Sequence, residues 1–435
     1  MNAQATDAAR NDGLDALRGL FLVLMTLTHM PTSLQAALGQ PLGQVSAAEG
    51  FVLLSAFLAG QVYLRRGLRQ GFDGMRRALW ARAATVYKHH LGLFAFGISM
   101  VLVLGMVNGR EAVTNLFMQY LAHPVASASA ALVFAYQPPL LDILPMYVLF
   151  LLFTPWVLEA ARRHGWGAPL AVSVALWVAA LLGLRTGFYD LALAWTGIPL
   201  AATGSFNVFA WQFMWVIGLW LGTARTLGQG SPLHVTPRML VLVGLLAASF
   251  LAWRHYAGQV PFGVTAEGAP TLGNRLTDKW DLGPLRLMNV FALAVLVAAF
   301  GPMVARRMRL GVLAVLGRSS LPVFSAHIAC CLLALACFGE PTPAFTMGQD
   351  AALILASLLV MYGTAVLHQL PAEATTIAGG ATTQSRRPCP TPSEVPSVEA
   401  PPVPPALLPP LVVPAVRSPA VLSAAGAGGG GTSVA

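Results

Sequence analysis

The chain has 435 residues and a formal net charge of +9; 56% of its residues belong to the AVILMFWYC set and only 10% are charged. A soluble protein carries about 25% charged residues, so this composition excludes a soluble dinucleotide-binding enzyme, a secreted disulfide scaffold and a nucleic-acid binder. The apolar residues gather in stretches long enough to cross a hydrocarbon core of about 30 Å, which marks an all-α polytopic protein embedded in a lipid bilayer. Cys330, Cys331 and Cys337 share one apolar segment and Cys389 lies in a proline-rich stretch, so neither a disulfide framework nor a zinc-binding spacing is expected.

In chain order, apolar windows predict about ten spans: 14–31, 47–64, 89–107, 139–160, 168–184, 207–224, 238–253, 286–304, 318–338 and 350–369. With the amino terminus inside, this count puts 20 of the 26 lysines and arginines on the cytoplasmic side, the bias expected of a polytopic membrane protein. Both termini are then expected to be cytoplasmic. The apolar piece 112–136 would invert every later loop if it crossed, so it is expected to be interfacial or re-entrant. The first span has a signal-peptide-like core, but nine further spans argue for an anchor. From Pro371 onward there are thirteen prolines, no aromatic residue and a Gly428–Gly431 run. Such a segment cannot bury enough apolar surface to order itself, so 371–435 is expected to be a disordered tail behind a membrane domain over 12–370.

Ionisable groups inside spans are costly and therefore candidates for function. In the first span Arg18 and His29 are eleven residues apart, three helical turns plus about 20°, which puts them on one face with a rise of about 16 Å. Glu49 enters the second span from the outside, at about the depth of His29. A carboxylate on one ring nitrogen would orient the imidazole and raise the basicity of the other nitrogen, as a general base acting on an alcohol requires. The bland readings are a snorkelling Arg18, a core His29 and a hydrated Glu49.

Residues 65–90 hold seven basic side chains, among them Arg76, Arg77 and Arg82, a surface suited to phosphates as well as a topology determinant. Further polar residues in spans are His327 in the ninth, Asn207 and Gln212 at the start of the sixth, and Asp142 in the fourth. Each serves either the substrate or helix packing. No metal-binding constellation is expected.

Together these stretches resemble the OpgC family of glucan succinyltransferases, a branch of the membrane acyltransferase family 3 superfamily. The resemblance rests on LDALRGLFLVLMTLTHMP, SAAEGFVLLSAF, RRALWARAATVYKHH, LLDILPMYVLFLLFTPWVL, FNVFAWQFMWVIGLWLG and LGRSSLPVFSAH. It covers roughly 12–370, and its most specific feature, the arginine and histidine of the first helix, falls on Arg18 and His29. It implies transfer of an acyl group, typically succinyl, from cytoplasmic acyl-CoA to hydroxyls of osmoregulated periplasmic glucans, with the CoA a co-substrate rather than a resident cofactor. Arg76, Arg77 and Arg82 would then meet the CoA phosphates, His29 would be the base, and Arg18, Asn207 or Gln212 would serve the oxyanion. Where the family commonly has Ser-Gly, this chain has Ser55-Ala56, which adds a methyl group at a close helix approach. The same chemistry suits another exported polysaccharide. A transporter or flippase would instead predict paired broken helices in two repeats, and no such duplication is found.

Overall fold

The computed structural model describes residues 12–196, 202–228, 235–256, 272–307, 310–340 and 346–381. Among them the chain is helical, and its only β feature is an isolated bridge between Gln137 and Thr203. The helices are α1 (Asp12–His29), α2 (Gln35–Leu38) and α3 (Ala47–Phe96), the last running through a π-helical turn at Gly97–Val101 into α4 (Leu102–Val107). Three short pieces follow: α5 (Glu111–Leu116), α6 (Met118–Ala122) and α7 (Pro124–Leu132). Next come α8 (Ile143–His164), α9 (Gly167–Leu181), α10 (Leu184–Thr196), α11 (Val208–Thr226) and α12 (Pro237–Tyr256). The described chain ends with α13 (Leu272–Thr277), α14 (Pro284–Arg307), α15 (Gly311–Arg318), α16 (Ser320–Phe338) and α17 (Met347–Ala381).

A helix occupies each of the ten apolar windows, but six helices among the described residues are long and apolar enough to cross a membrane, or seven if α9 and the start of α10, bent by 75°, form one broken span. The shortfall against ten has identifiable causes. Ala47–Val107 counts as one helix although it holds two expected spans, one on each side of a break at Gly71. In α1, Asp12, Asp15 and Arg18 crowd one end, and in α11 Gln212 and Arg225 dilute the apolar run. Segment 112–136 breaks into short helices, none long enough to span.

Two further expectations change. The basic stretch 65–88, left between two expected spans, is helical, interrupted at Gly71. With φ 74° and ψ 176°, Gly71 holds a backbone conformation that a side chain would strain, and the helix breaks there into two arms. The tail was expected to begin at Pro371, but α17 continues to Ala381; 382–435 lie outside the described residues.

The core is built where α3 packs between α8 and α11, with α1 and α16 closing one side. Small residues let these helices approach closely, as membrane packing favours. A Cβ at Gly222 would collide with the Phe57 carbonyl of α3, so only glycine permits this crossing. The methyl group of Ala56 fits because it faces Gly218 in the same crossing. The indole of Trp215 donates to Thr154 Oγ1 at 2.9 Å and the Tyr147 hydroxyl donates to the Phe51 carbonyl at 3.2 Å, tying α8 to both neighbours.

Candidate functional site

His29 is the last residue of α1, and the unbroken helix keeps Arg18 three turns behind it. The expected partner of His29 was Glu49, but the structure assigns Glu49 elsewhere. One Glu49 oxygen accepts from the Arg286 guanidinium at 2.7 Å, and the other accepts from the Ser46 backbone N–H at 3.1 Å and the Ser46 hydroxyl at 2.5 Å. Glu49 therefore closes a capping box at the start of α3 and neutralises a buried arginine of α14. The ring beside His29 belongs to His327 on α16, with Nδ1 of His29 3.4 Å from Nε2 of His327 and the two rings stacked at 19°.

The tautomers follow from one carbonyl. The Phe324 backbone oxygen can only accept, and it lies 2.8 Å from His327 Nδ1, so that nitrogen carries a proton. In neutral His327, Nε2 is then an acceptor and His29 Nδ1 must donate to it. The remaining His29 Nε2 is left with a lone pair, which is the form a general base needs. The carbonyl orients His327 and His327 orients His29, the task the sequence reading gave to a carboxylate.

A cavity of about 590 Å³ approaches this pair from the other end of the bundle. Its rim carries Arg18 of α1, Arg65 and Arg82 from the two arms of α3, and Arg225 of α11. Its inner walls are aromatic: Phe51, Tyr147, Trp215 and Phe324. On α3 the lining residues Phe51, Ser55, Leu58, Val62 and Arg65 step by three or four, so one helix face lines the cavity over about 21 Å. Phe324 forms the far wall, and its ring packs edge-on against His327 with centroids 4.9 Å apart.

The three arginines expected to meet phosphates separate. Arg82 lines the cavity. Arg76 pairs with Asp73 at 2.9 Å and lies over the Phe72 and Trp80 rings, while Arg77 is exposed and does not line the cavity. Arg65, from the same basic stretch, and Arg225 of α11 line the cavity with Arg82.

Asp142, Asn207 and Gln212 form structural bonds. Asp142 precedes α8 and accepts from the Ser205 backbone N–H at 2.9 Å. Asn207 caps α11 by accepting from Phe209 N–H, and its amide donates to Asp281 at 2.8 Å. The Gln212 amide donates to the Ser173 carbonyl at 2.8 Å, and its oxygen accepts from the Ser173 hydroxyl at 2.7 Å. Asn207 and Trp211, whose indole donates to the Trp280 carbonyl at 3.0 Å, fasten the turn that carries Lys279. The Lys279 ammonium sits 4.7 Å from the centre of the Trp280 ring and acts electrostatically on His29. Burial holds the pKa of Lys279 below the ordinary lysine value. Nothing in the sequence marked this lysine beyond its place in an outside loop.

No curated protein and no solved structure matches the chain significantly. A family model described as "OpgC protein" matches residues 10–371, a stretch that contains the cationic cavity and both histidines. The chain is a helical, membrane-type protein that belongs to the OpgC family.

Proposed function

We propose that this chain is an inner-membrane O-acyltransferase that moves a succinyl or similar acyl group from cytoplasmic acyl-CoA to hydroxyls of osmoregulated periplasmic glucans. Family membership supports a transferase. The observation that carries the reading is the path from four arginines along one face of α3 to Phe324, with the His327–His29 pair behind it. With the amino terminus inside, the arginine rim faces the cytoplasm, where CoA is found, and His29 lies toward the acceptor side. Guanidinium groups suit phosphates because they give charge-assisted, often bidentate hydrogen bonds.

In this reading the glucan hydroxyl attacks the thioester carbon while His29 Nε2 takes its proton. The tetrahedral intermediate then collapses, the carbon–sulfur bond breaks, and the imidazolium returns the proton to the departing thiolate. The products are a glucan ester and free CoA. Asn207 and Gln212 are engaged in other bonds and Arg18 stands at the phosphate end of the cavity, so the cation assigned to the oxyanion is Lys279.

Mass analysis of periplasmic glucans from cells with and without the protein tests the reading. Acyl substituents that vanish with the protein are the expected result, and identical glucans would refute the acceptor assignment. The donor end is tested separately. Replacing Arg65 and Arg82 by glutamine should raise the KM for acyl-CoA about tenfold or more and leave the acceptor KM unchanged, because each charge-assisted bond is worth more than a neutral one. The same change at Arg76 and Arg77 should leave the donor KM within about twofold. An equal response of both pairs would mean that the basic stretch acts as a whole rather than through the cavity rim.

A further inference from the structure

The acyl-CoA reading leaves one group in the cavity without a task. Gln61 is 8% exposed and lines the cavity, and its side-chain nitrogen Nε2 is buried with no acceptor among the described residues. Buried amide donors are rarely left without a partner, since burial removes the water they would otherwise bind. Gln61 lies one helical turn before Arg65 on α3, about 6 Å nearer the aromatic end. Around that depth the cavity wall is mostly apolar, with Leu58, Ala59, Val62 and Val86 beside the ring of Tyr63. A lone N–H in such a wall favours a ligand that carries an acceptor at that level and disfavours one that carries only methylene groups there.

We infer that Gln61 is a specificity residue whose amide turns into the cavity when the acyl donor is bound and donates from Nε2 to an amide carbonyl in the donor's arm. A donor with phosphates at the arginine rim and its thioester at the aromatic end must lay its connecting arm past Gln61. A pantetheine arm has amide carbonyls between phosphate and sulfur. A lipid-linked acyl donor would present hydrocarbon at this level and leave the amide unpaired. The inference rests on the acyl-CoA reading and adds what the site recognises between its two ends.

The test uses the full chain purified in a membrane mimetic, with two probes. CoA carries the arm; adenosine 3′,5′-bisphosphate carries the phosphates without it. Gln61→Leu should weaken CoA about tenfold, the loss of one hydrogen bond to a buried donor, and leave the bisphosphate unchanged. The thermal midpoint of the unliganded variant should equal or exceed that of the wild type, because leucine removes an unpaired polar group from an apolar wall. Gln61→Met, unbranched and of similar length, should behave in the same way. Equal weakening of both probes, or of neither, overturns the role of Gln61, as does destabilisation by both substitutions, which would make the amide structural. Failure of the wild type to bind either probe overturns the acyl-CoA reading itself.

Discussion

Replacing His29 by alanine should abolish acyl transfer, with a rate loss of about 10² to 10⁴-fold, the range that general base catalysis contributes. Membrane insertion should be nearly normal, because the residue ends α1 and is only half-buried. His327 should behave differently. In the proposed mechanism it does not receive the hydroxyl proton but fixes the tautomer of His29 through the chain Phe324 carbonyl, His327, His29. Removing it leaves a base that is free to rotate or to present the wrong nitrogen, so His327→Ala should lower kcat by a smaller factor than His29→Ala, with both KM values almost unchanged. His327→Gln should recover part of that loss, because a glutamine carbonyl can still accept from His29 Nδ1. Normal rates with His29→Ala would end the assignment. A His327→Ala loss as deep as that of His29→Ala, with no rescue by glutamine, would move the base to His327.

What was legible in the sequence follows from what local pattern determines. Span positions depend on runs of apolar residues, and Arg18 and His29 share a face because helix geometry fixes their angle, so both could be read without knowing any neighbour. The partners of these residues could not. His29 and His327 are 298 positions apart, and Glu49 and Arg286 are 237 apart; only the packing of α1 on α16 and of α3 near α14 brings them together. Depth alone placed Glu49 beside His29, because two helices that enter a membrane at the same level look adjacent until the remaining helices are packed. The basic stretch shows the complementary limit. Its charge density was plain, but which arginines face inward depends on the break at Gly71, which sends the second arm in a new direction and leaves Arg76 and Arg77 away from the cavity. The two spans expected over 47–64 and 89–107 lie on different arms of α3 and α4, and the basic stretch between them, which resembles a linker in sequence, is helical apart from the break at Gly71.

The Glu49–Arg286 pair leads to the second large effect, on stability rather than chemistry. Both side chains are almost inaccessible, 0% exposed for Glu49 and 3% for Arg286, and the pair is closed at 2.7 Å. Arg286 also donates through Nε to the carbonyls of Thr277 and Asp278, at 3.0 and 3.1 Å, so it ties α3, α14 and the turn that carries Lys279 into one unit. Removing one partner strands a buried charge, which typically costs about 3–5 kcal/mol. Glu49→Ala and Arg286→Ala should therefore each lower the thermal midpoint markedly and reduce the amount of folded protein in the membrane. The double variant should lose less than the sum of the two, because no uncompensated charge remains. Glu49→Gln tests whether the carboxylate also serves catalysis. If Glu49 were the orienting partner of His29, this variant would lower kcat per folded molecule while stability changed little. The structure predicts the reverse, since Glu49 bonds to Ser46 and Arg286 while His29 is oriented through His327. Activity normalised to folded protein should stay close to wild type, and the loss should appear in the midpoint. A normalised kcat that falls tenfold at unchanged stability would return Glu49 to the catalytic unit.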